Sequence, residues 1–266
     1  MKSKFALSFL LILIAGACNK NPTDSSINIF SVEDDKQLGL QVSQEIASDP
    51  ATYPILDPSQ YADAYAYVNN VRDKILNGGN VFYKDEFPWE MHIIQDDATV
   101  NAFCTPGGYI YIYTGLLKYL ESEDQLAGVM GHEMAHADRR HTTDQLTKIY
   151  GIEFLLSLIL GTNTNDIASI AESLVFLEFS RENESEADDY SVIYLCPTDY
   201  NAAGAAGFFE KLIADGQTGD VPVFLSDHPD PGDRLESINQ EKEDQGCTGT
   251  ATYDQEYQNF LAELPQ

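Results

Sequence analysis

His132, Glu133 and His136 stand in the stretch Val129-Met130-Gly131-His132-Glu133-Met134-Ala135-His136-Ala137-Asp138, and their spacing suits metal-assisted hydrolysis. On an α-helix, residues four apart lie one above the other, so two imidazoles can aim at one ion. Glu133 projects beside them, placed to take a proton from a metal-polarised water rather than to serve as a third ligand. The flanking residues read as helix: Ser122 with Gln125 makes a capping-box start, and Leu126, Val129 and Met130 form an apolar stripe. A zinc hydrolase needs three protein ligands and a water, so a third ligand must come from elsewhere. The run Asn183-Glu184-Ser185-Glu186-Ala187-Asp188 offers acids at helical spacing. Glu184 and Asp188 share a face, so one can bind metal while the other accepts a hydrogen bond from a ligating histidine. Glu182 and Glu186 point the other way and read as solvated. Periodicity alone does not say which acid faces the metal.

The elements that must position these side chains are legible in outline. With 266 residues, 43% of them hydrophobic, the chain can build a packed core. There is no internal repeat, low-complexity tract or second-domain signal. The expected fold is one mostly helical α+β domain over residues 30–266, zincin-like, with a small sheet whose edge strand faces the zinc cleft. Ser31 opens a helix over Val32–Ser48. Asp57 and Pro58 read as N-cap and first turn of a second, with Tyr61, Ala64, Tyr65, Val68, Val71 and Ile75 on one face and Gly78-Gly79 as its stop. Trp89 to Ile93 and Tyr109 to Tyr113 alternate as strands do. His92, in the first of these, reads as structural. Ile149 to Leu160 is too short to span a bilayer and suits a buried or interfacial helix. Asp166 caps a further helix that runs, with or without a break, towards Ser180 and on to Pro197. Helices are also expected over Asn201–Ala214, Pro231–Glu241 and Gln255–Leu264.

The charge is lopsided, with 15 Lys+Arg against 43 Asp+Glu and a net of −28. Such a surface repels nucleic acid and anionic headgroups, so partners of both kinds are discounted and the acidity reads as a solvated surface. The first 17 residues have the form of a signal peptide: Lys2 and Lys4, an apolar run Phe5 to Ala15, then Gly16-Ala17 before Cys18. Small residues before a cysteine resemble the bacterial lipobox, which would leave Cys18 as a lipidated N-terminus, although Ala15 stands where leucine is commoner. Residues 18–29 would be its flexible tether, and membrane contact would be through that lipid only. In an oxidising compartment the remaining cysteines fit one disulfide and one free thiol. Cys196, before Pro197, and Cys247, after Gly246, are expected to pair; Cys104 is left free.

H-E-M-A-H followed by S-R-x-x-E-x-x-A-D, here His132 to His136 and Ser180 to Asp188, resembles the zinc metallopeptidases that include HtpX, the CAAX prenyl proteases and BepA. The resemblance implies Glu184 as the third ligand and Asp188 as the carboxylate behind a ligating histidine. Two further stretches agree. Asn101-Ala102-Phe103-Cys104-Thr105-Pro106-Gly107-Gly108-Tyr109-Ile110 is similar to the family's N-A-F-x-x-P-G-G segment, which precedes its edge strand. Asp227-His228-Pro229 with Arg234 is similar to its H-P-x-x-x-x-R segment. Together these motifs cover about Asn101 to Ile238. Cys104 stands where other members often carry a small residue. The absence of membrane-spanning helices places the chain with the family's soluble, envelope-located branch.

The expected activity is therefore that of a zinc endopeptidase, of gluzincin type, with one Zn2+ per chain. It would be lipid-anchored in the bacterial cell envelope, face the periplasm and clear unfolded or misassembled polypeptides. Glu133 would be the general base, with His228 and Arg234 as candidate donors to the oxyanion. The strand Gly108-Tyr109-Ile110-Tyr111 would hold an extended substrate by strand addition. His228 sits among prolines and a glycine in a loop, and it has an alternative role as a swinging extra ligand that holds the enzyme off, as the resemblance to BepA implies. A different class of function is also open: a chaperone or assembly factor that uses the cleft to bind unfolded proteins with little hydrolysis. A third option, a zinc amidase acting on a non-protein bond, is disfavoured by the strand-like platform.

Overall fold

The computed structural model describes residues 28–162, 166–216, 224, 228 and 231–265. The signal peptide, Cys18 and most of the tether lie outside the described residues, as do Asp227 and Pro229. Helices α1 (Val32–Ser48) and α2 (Ala62–Gly78) come first, then strands β1 (Glu90–Ile94), β2 (Ala102–Cys104) and β3 (Tyr109–Tyr113). A helical series follows: α3 (Thr114–Tyr119), α4 (Glu123–Asp138), α5 (His141–Tyr150), α6 (Ile152–Ile159), α7 (Ile167–Val175) and α8 (Arg181–Leu195). The last described helices are α9 (Gly204–Gly216), α10 (Pro231–Asp244) and α11 (Asp254–Leu261). The domain is mostly helical with a small sheet, and none of the described helices is long and apolar enough to cross a membrane.

The sheet divides the core, and the period-2 pattern of its strands explains how. Ile110 and Ile112 of β3, with Ala102 and Cys104 of β2 and Met91 and Ile93 of β1, face a cluster shared with α2, α4, α8 and α9. Tyr109, Tyr111 and Tyr113, with Phe103 and Ile94, face a second cluster shared with α1, α6 and α7. His92 belongs to this second face, stacked on Tyr111 at 4.7 Å between ring centroids, which is a structural role.

Strand order corrects one expectation. β3 is the central strand, parallel to β1 and antiparallel to β2. Its main chain is already spoken for: Gly108 O accepts from Glu90 N at 3.1 Å and Tyr109 O from Thr105 N at 2.9 Å. Gly108 to Tyr111 therefore cannot take a substrate by strand addition. The edge strands are β1, bridged on its outer side by Ile55, and β2, where Ala102 N donates to Asn101 Oδ1 at 2.8 Å and Cys104 O accepts from Thr142 Oγ1 at 3.3 Å. Because Asn101 and Thr105 pair with β3, the main-chain groups of Ala102 and Cys104 turn away from the sheet. The hairpin between β2 and β3 needs glycine twice, since Gly107 (φ 75°) and Gly108 (φ 87°) are both left-handed.

Helix α4 is not the amphipathic surface helix that an apolar stripe suggests; nearly every residue from Glu123 to Asp138 is buried. Ser122 is its N-cap, but the expected capping box is absent. The Ser122 hydroxyl donates to Asp124 instead, and the first free amides, Glu123 N and Asp124 N, donate to Thr252 O at 3.0 and 3.3 Å. The Asp57 signal is displaced in the same way: Asp57 organises a turn through Ser59, and α2 begins at Ala62. The Ile149–Leu160 run is broken at Gly151 (φ 81°) into the end of α5 and a separate α6. The segment from Asp166 likewise breaks into α7 and α8. At the far end, Cys196 and Cys247 form a disulfide with Cα atoms 4.9 Å apart, and Cys104 is a buried free thiol.

Small residues let α4 sit at the centre. A Cβ at Gly128 would lie 2.2 Å from Ala205 N on α9, and one at Gly131 would lie 3.2 Å from Leu195 of α8. In an isolated helix, alanine would be better than glycine by ~1 kcal/mol. At Gly128 the neighbour is backbone and cannot give way. Gly128→Ala should thus destabilise the fold by a net ~1–2 kcal/mol, within the usual cost of overpacking. A lower midpoint in urea unfolding checks this.

Candidate metal centre

Four of the chain's five histidines converge where α4, α5, α8 and the approach to α10 meet. His132 and His136, one turn apart on α4, turn their Nε2 atoms towards each other at 3.0 Å. Glu184 enters from the first turn of α8, which Ser180 caps by accepting from Asn183 N at 3.2 Å. Its carboxylate oxygens lie 3.5 Å from His132 Nε2 and 3.4 Å from His136 Nε2. His228 completes the group, with Nδ1 3.0 Å from Glu184 Oε1 and 3.3 Å from His132 Nε2. These four side chains, all buried, offer ligand atoms within 4.8 Å of one another.

The chemistry of this donor set fits a metal ion. For metal–ligand bonds of ~2.0–2.1 Å, the edges of a tetrahedron measure ~3.4 Å, and the contacts above run close to that. Three carboxylates (Glu133, Glu184, Asp188) against one guanidinium (Arg234) leave a negative excess in a dry site, which a divalent ion offsets. The tautomers also agree. His132 Nδ1 donates to Asp188 Oδ1 at 2.9 Å, which leaves the Nε2 lone pair facing the cluster. His228 brings a fourth donor to the same cluster.

Burial and the acids set the electrostatics. Burial pushes His132 down, but Asp188 and Glu184 more than reverse it and raise its pKa to about 9. His136 is held well below the ordinary histidine range by burial. Burial pushes Glu184 up, yet His228 and its bonds from the other histidines hold it well below the carboxylate range. Glu133 is raised by burial. Its Oε1 has no hydrogen-bond partner and stands 3.5 Å from His228 Nε2. A small cavity beside it is walled by Ala102, Cys104, Leu177, Phe179 and His228.

Arg234 is placed differently from the oxyanion donor suggested by sequence. Its Nε and Nη2 bind the two oxygens of Asp188 at 2.6 and 2.5 Å, and its Nη1 lies 3.1 Å from Glu184. A guanidinium committed on this side of His132 holds the carboxylates in place.

Glu186 is half-buried and paired rather than simply solvated. It accepts from Arg139 Nε at 2.7 Å, and its other oxygen lies 3.2 Å from His141 Nε2. His141 itself went unnoticed in sequence, for a physical reason. Five residues past His136 it would face away on a continuous helix, but Arg140 adopts φ 63° and swings the start of α5 back. Its Nδ1 then reaches His136 Nδ1 at 3.3 Å.

Purified chain should carry about one metal ion, and Glu184→Ala should lose most of it, by elemental analysis. Because a ligand nitrogen must shed its proton, apparent metal affinity should also rise with pH up to about 9, the value for His132. A chelator-competition series across pH measures it.

Residues 51–242, well over half of the chain, match the model of peptidase family M48. Several relatives resemble the chain over much of its length. It is 28% identical over 217 residues to the mitochondrial metalloendopeptidase OMA1 of Schizosaccharomyces pombe, covering 80% of this chain and 62% of that protein. Identity is 29% to the metalloprotease LoiP of Escherichia coli, with 76% of this chain and 78% of LoiP aligned. The metalloprotease YcaL of the same bacterium is 28% identical, over 89% of this chain and 95% of its own length. The chain thus spans under two thirds of the OMA1 relative but nearly all of YcaL. With a matching family model laid over a histidine-glutamate centre of this geometry, the chain belongs to peptidase family M48.

Proposed function

We propose that this chain is a zinc endopeptidase that cleaves unfolded or misassembled polypeptides of the bacterial envelope, where a lipid on Cys18 tethers it. The observation that carries the reading is Glu133: a buried carboxylate with an unpartnered oxygen beside four converging donors. Burying such a group is costly, and a pure binding module gains nothing from it. Imidazoles with one carboxylate at tetrahedral spacing suit zinc. The names of the relatives, metalloprotease and metalloendopeptidase, support proteolysis. The leader ending at Cys18 supports the envelope.

His132, His136 and Glu184 would hold a zinc ion, which would supply Lewis acidity for hydrolysis. Glu133 is placed to accept a proton from an attacking water and would return it to the departing amine. Its burial-raised pKa brings it nearer to neutrality, as a carrier of protons in both directions requires. Asp188 fixes the ring of His132, and Arg234 fixes Asp188. An extended substrate adds to the outer edge of β2, where its main chain replaces the bonds that Ala102 N makes to Asn101 Oδ1 and that Cys104 O accepts from Thr142, and such bonds tolerate many sequences. In the structure Leu177 and Phe179 wall that edge, and Asn101 Nδ2 donates to Val175 O at 3.2 Å. Substrate entry therefore displaces the Val175–Phe179 segment.

His228 acts as a removable plug. Its Nδ1 lies 3.0 Å from Glu184 Oε1, where it would compete with water for a bound ion, and Phe224 stacks on it at 4.3 Å. The same fourth donor favours a second reading, a holding function for unfolded chains with little hydrolysis. Casein cleavage with and without chelator separates the two. Glu133→Gln should keep its metal but lose at least ~10²-fold in turnover, the usual worth of a general base. His228→Ala should raise basal casein cleavage while keeping its zinc; a fall in cleavage would instead make His228 a catalytic donor.

A further inference from the structure

The two ligand histidines of α4 are supported differently. His132 has a carboxylate directly behind it, Asp188, buried and doubly bound by Arg234. Behind His136 stands another imidazole. His136 Nδ1 lies 3.3 Å from His141 Nδ1, His141 Nε2 lies 3.2 Å from Glu186 Oε2, and Glu186 Oε1 accepts from Arg139 Nε at 2.7 Å. His136 is also wedged: Phe179 stacks on its ring at 3.8 Å, and His141 meets it edge-on at 5.2 Å.

Proton counting along this row allows one arrangement for a ligand. His136 Nε2 faces Glu184 and His132 Nε2, so its lone pair must be there and its proton on Nδ1. A single hydrogen fits between the two Nδ1 atoms. His136 supplies it, so His141 must accept there and carry its own proton on Nε2. Glu186 ends the row, because an ionised carboxylate only accepts. The opposite polarity would place a proton on His136 Nε2 and abolish it as a ligand. A carboxylate two residues removed from the metal thereby selects the tautomer that binds it.

We propose that His141 is a positioning residue for His136: with Glu186 and Arg139 behind it, His141 accepts the Nδ1 proton of His136 and so sets the affinity of the centre for its divalent ion. The proposal rests on the reading that the cluster holds zinc, and it assigns a role to residues that neither touch metal nor substrate. Its strength lies in polarity rather than bulk. A side chain that fills the same space without an acceptor should fail, and a smaller one with an acceptor should serve.

The test is zinc affinity of the full chain by competition with a chromophoric chelator at one neutral pH. His141→Leu should weaken binding ~10–100-fold, the usual cost of losing such a partner. His141→Asn, whose Oδ1 can take the place of Nδ1 as acceptor, should recover most of it. Glu186→Gln, whose amide can donate as well as accept, should give an intermediate loss. A second readout is independent of metal. Nitrogen-15 NMR of the imidazoles in the metal-free chain should find His136 protonated at Nδ1 in the parent and shifted towards the Nε2-protonated tautomer in His141→Leu. Equal zinc affinity in His141→Leu and the parent overturns the proposal, as does equal loss in the Asn and Leu variants, which would mean packing alone. An unchanged His136 tautomer overturns it too. If His141→Leu does not fold, the Asn and Gln variants still decide by the same two measurements. A parent chain that binds no zinc at all refutes the metal reading instead, and the tautomer measurement then judges the row alone.

Discussion

The approach of α4 to α8 is the constraint on which the rest of the structure depends. Gly131 brings the two helices close, with its missing Cβ facing Leu195 and the Ser191 backbone, and Gly128 does the same towards α9. At this separation His132 and His136 on one helix come within 2.9–3.5 Å of Asp188 and Glu184 on the other. Asp138, at the end of the same helix, locks the crossing by accepting from Tyr83 N at 2.7 Å, Phe82 N at 3.0 Å and Tyr194 Oη at 2.5 Å. Glu123 does so at the start, where Tyr67 and Tyr200 donate to it and Lys74 pairs with it. A polar group therefore pins each end of a helix that is otherwise buried.

Such a helix is expensive to bury, and its polar groups show how the cost is met. His132 has Asp188, and Asp188 has Arg234; His136 has His141, and His141 has Glu186. Each chain of bonds ends in a carboxylate neutralised by an arginine. Glu133 departs from this pattern, with one oxygen left without a partner. Burial leaves its carboxylate more basic than an exposed one. The metal centre and the base thus differ in physical state although they are adjacent residues of one helix.

The same packing keeps the centre shut. β2 lines the cavity beside Glu133 with Ala102 and Cys104, and Leu177, Phe179 and His228 close it from the other sides. Phe179 belongs to the link between α7 and α8 and stacks on His136, while His228 belongs to the approach to α10. Two separate segments would have to move before an extended chain could reach the base. Because His228 is itself one of the four converging donors and Phe179 stacks on His136, access to the cavity and the donor cluster share side chains.

Much of this was legible in residue order alone. His132, Glu133 and His136 announce themselves because helical geometry turns an i, i+4 spacing into a shared face, and α1, β1 and β3 follow from local periodicity within a residue or so. Glu184 and Asp188 sit on one face by the same rule, and motif resemblance chose between them. What the sequence could not decide were quantities set by contact between distant segments. β3 reads as an isolated alternating strand; only pairing on both sides makes it central and leaves β1 and β2 at the edges. Ser122 has the composition of a capping box, but Thr252, far along the chain, supplies the acceptor for the amides it would have capped. Glu186 looks solvated on its own helix, and His141 looks misaligned with His136, until the left-handed turn at Arg140 and the α4–α8 crossing bring the two together. Local order determines which face a side chain occupies, because backbone geometry is local; which partner meets that face is a property of the packed whole.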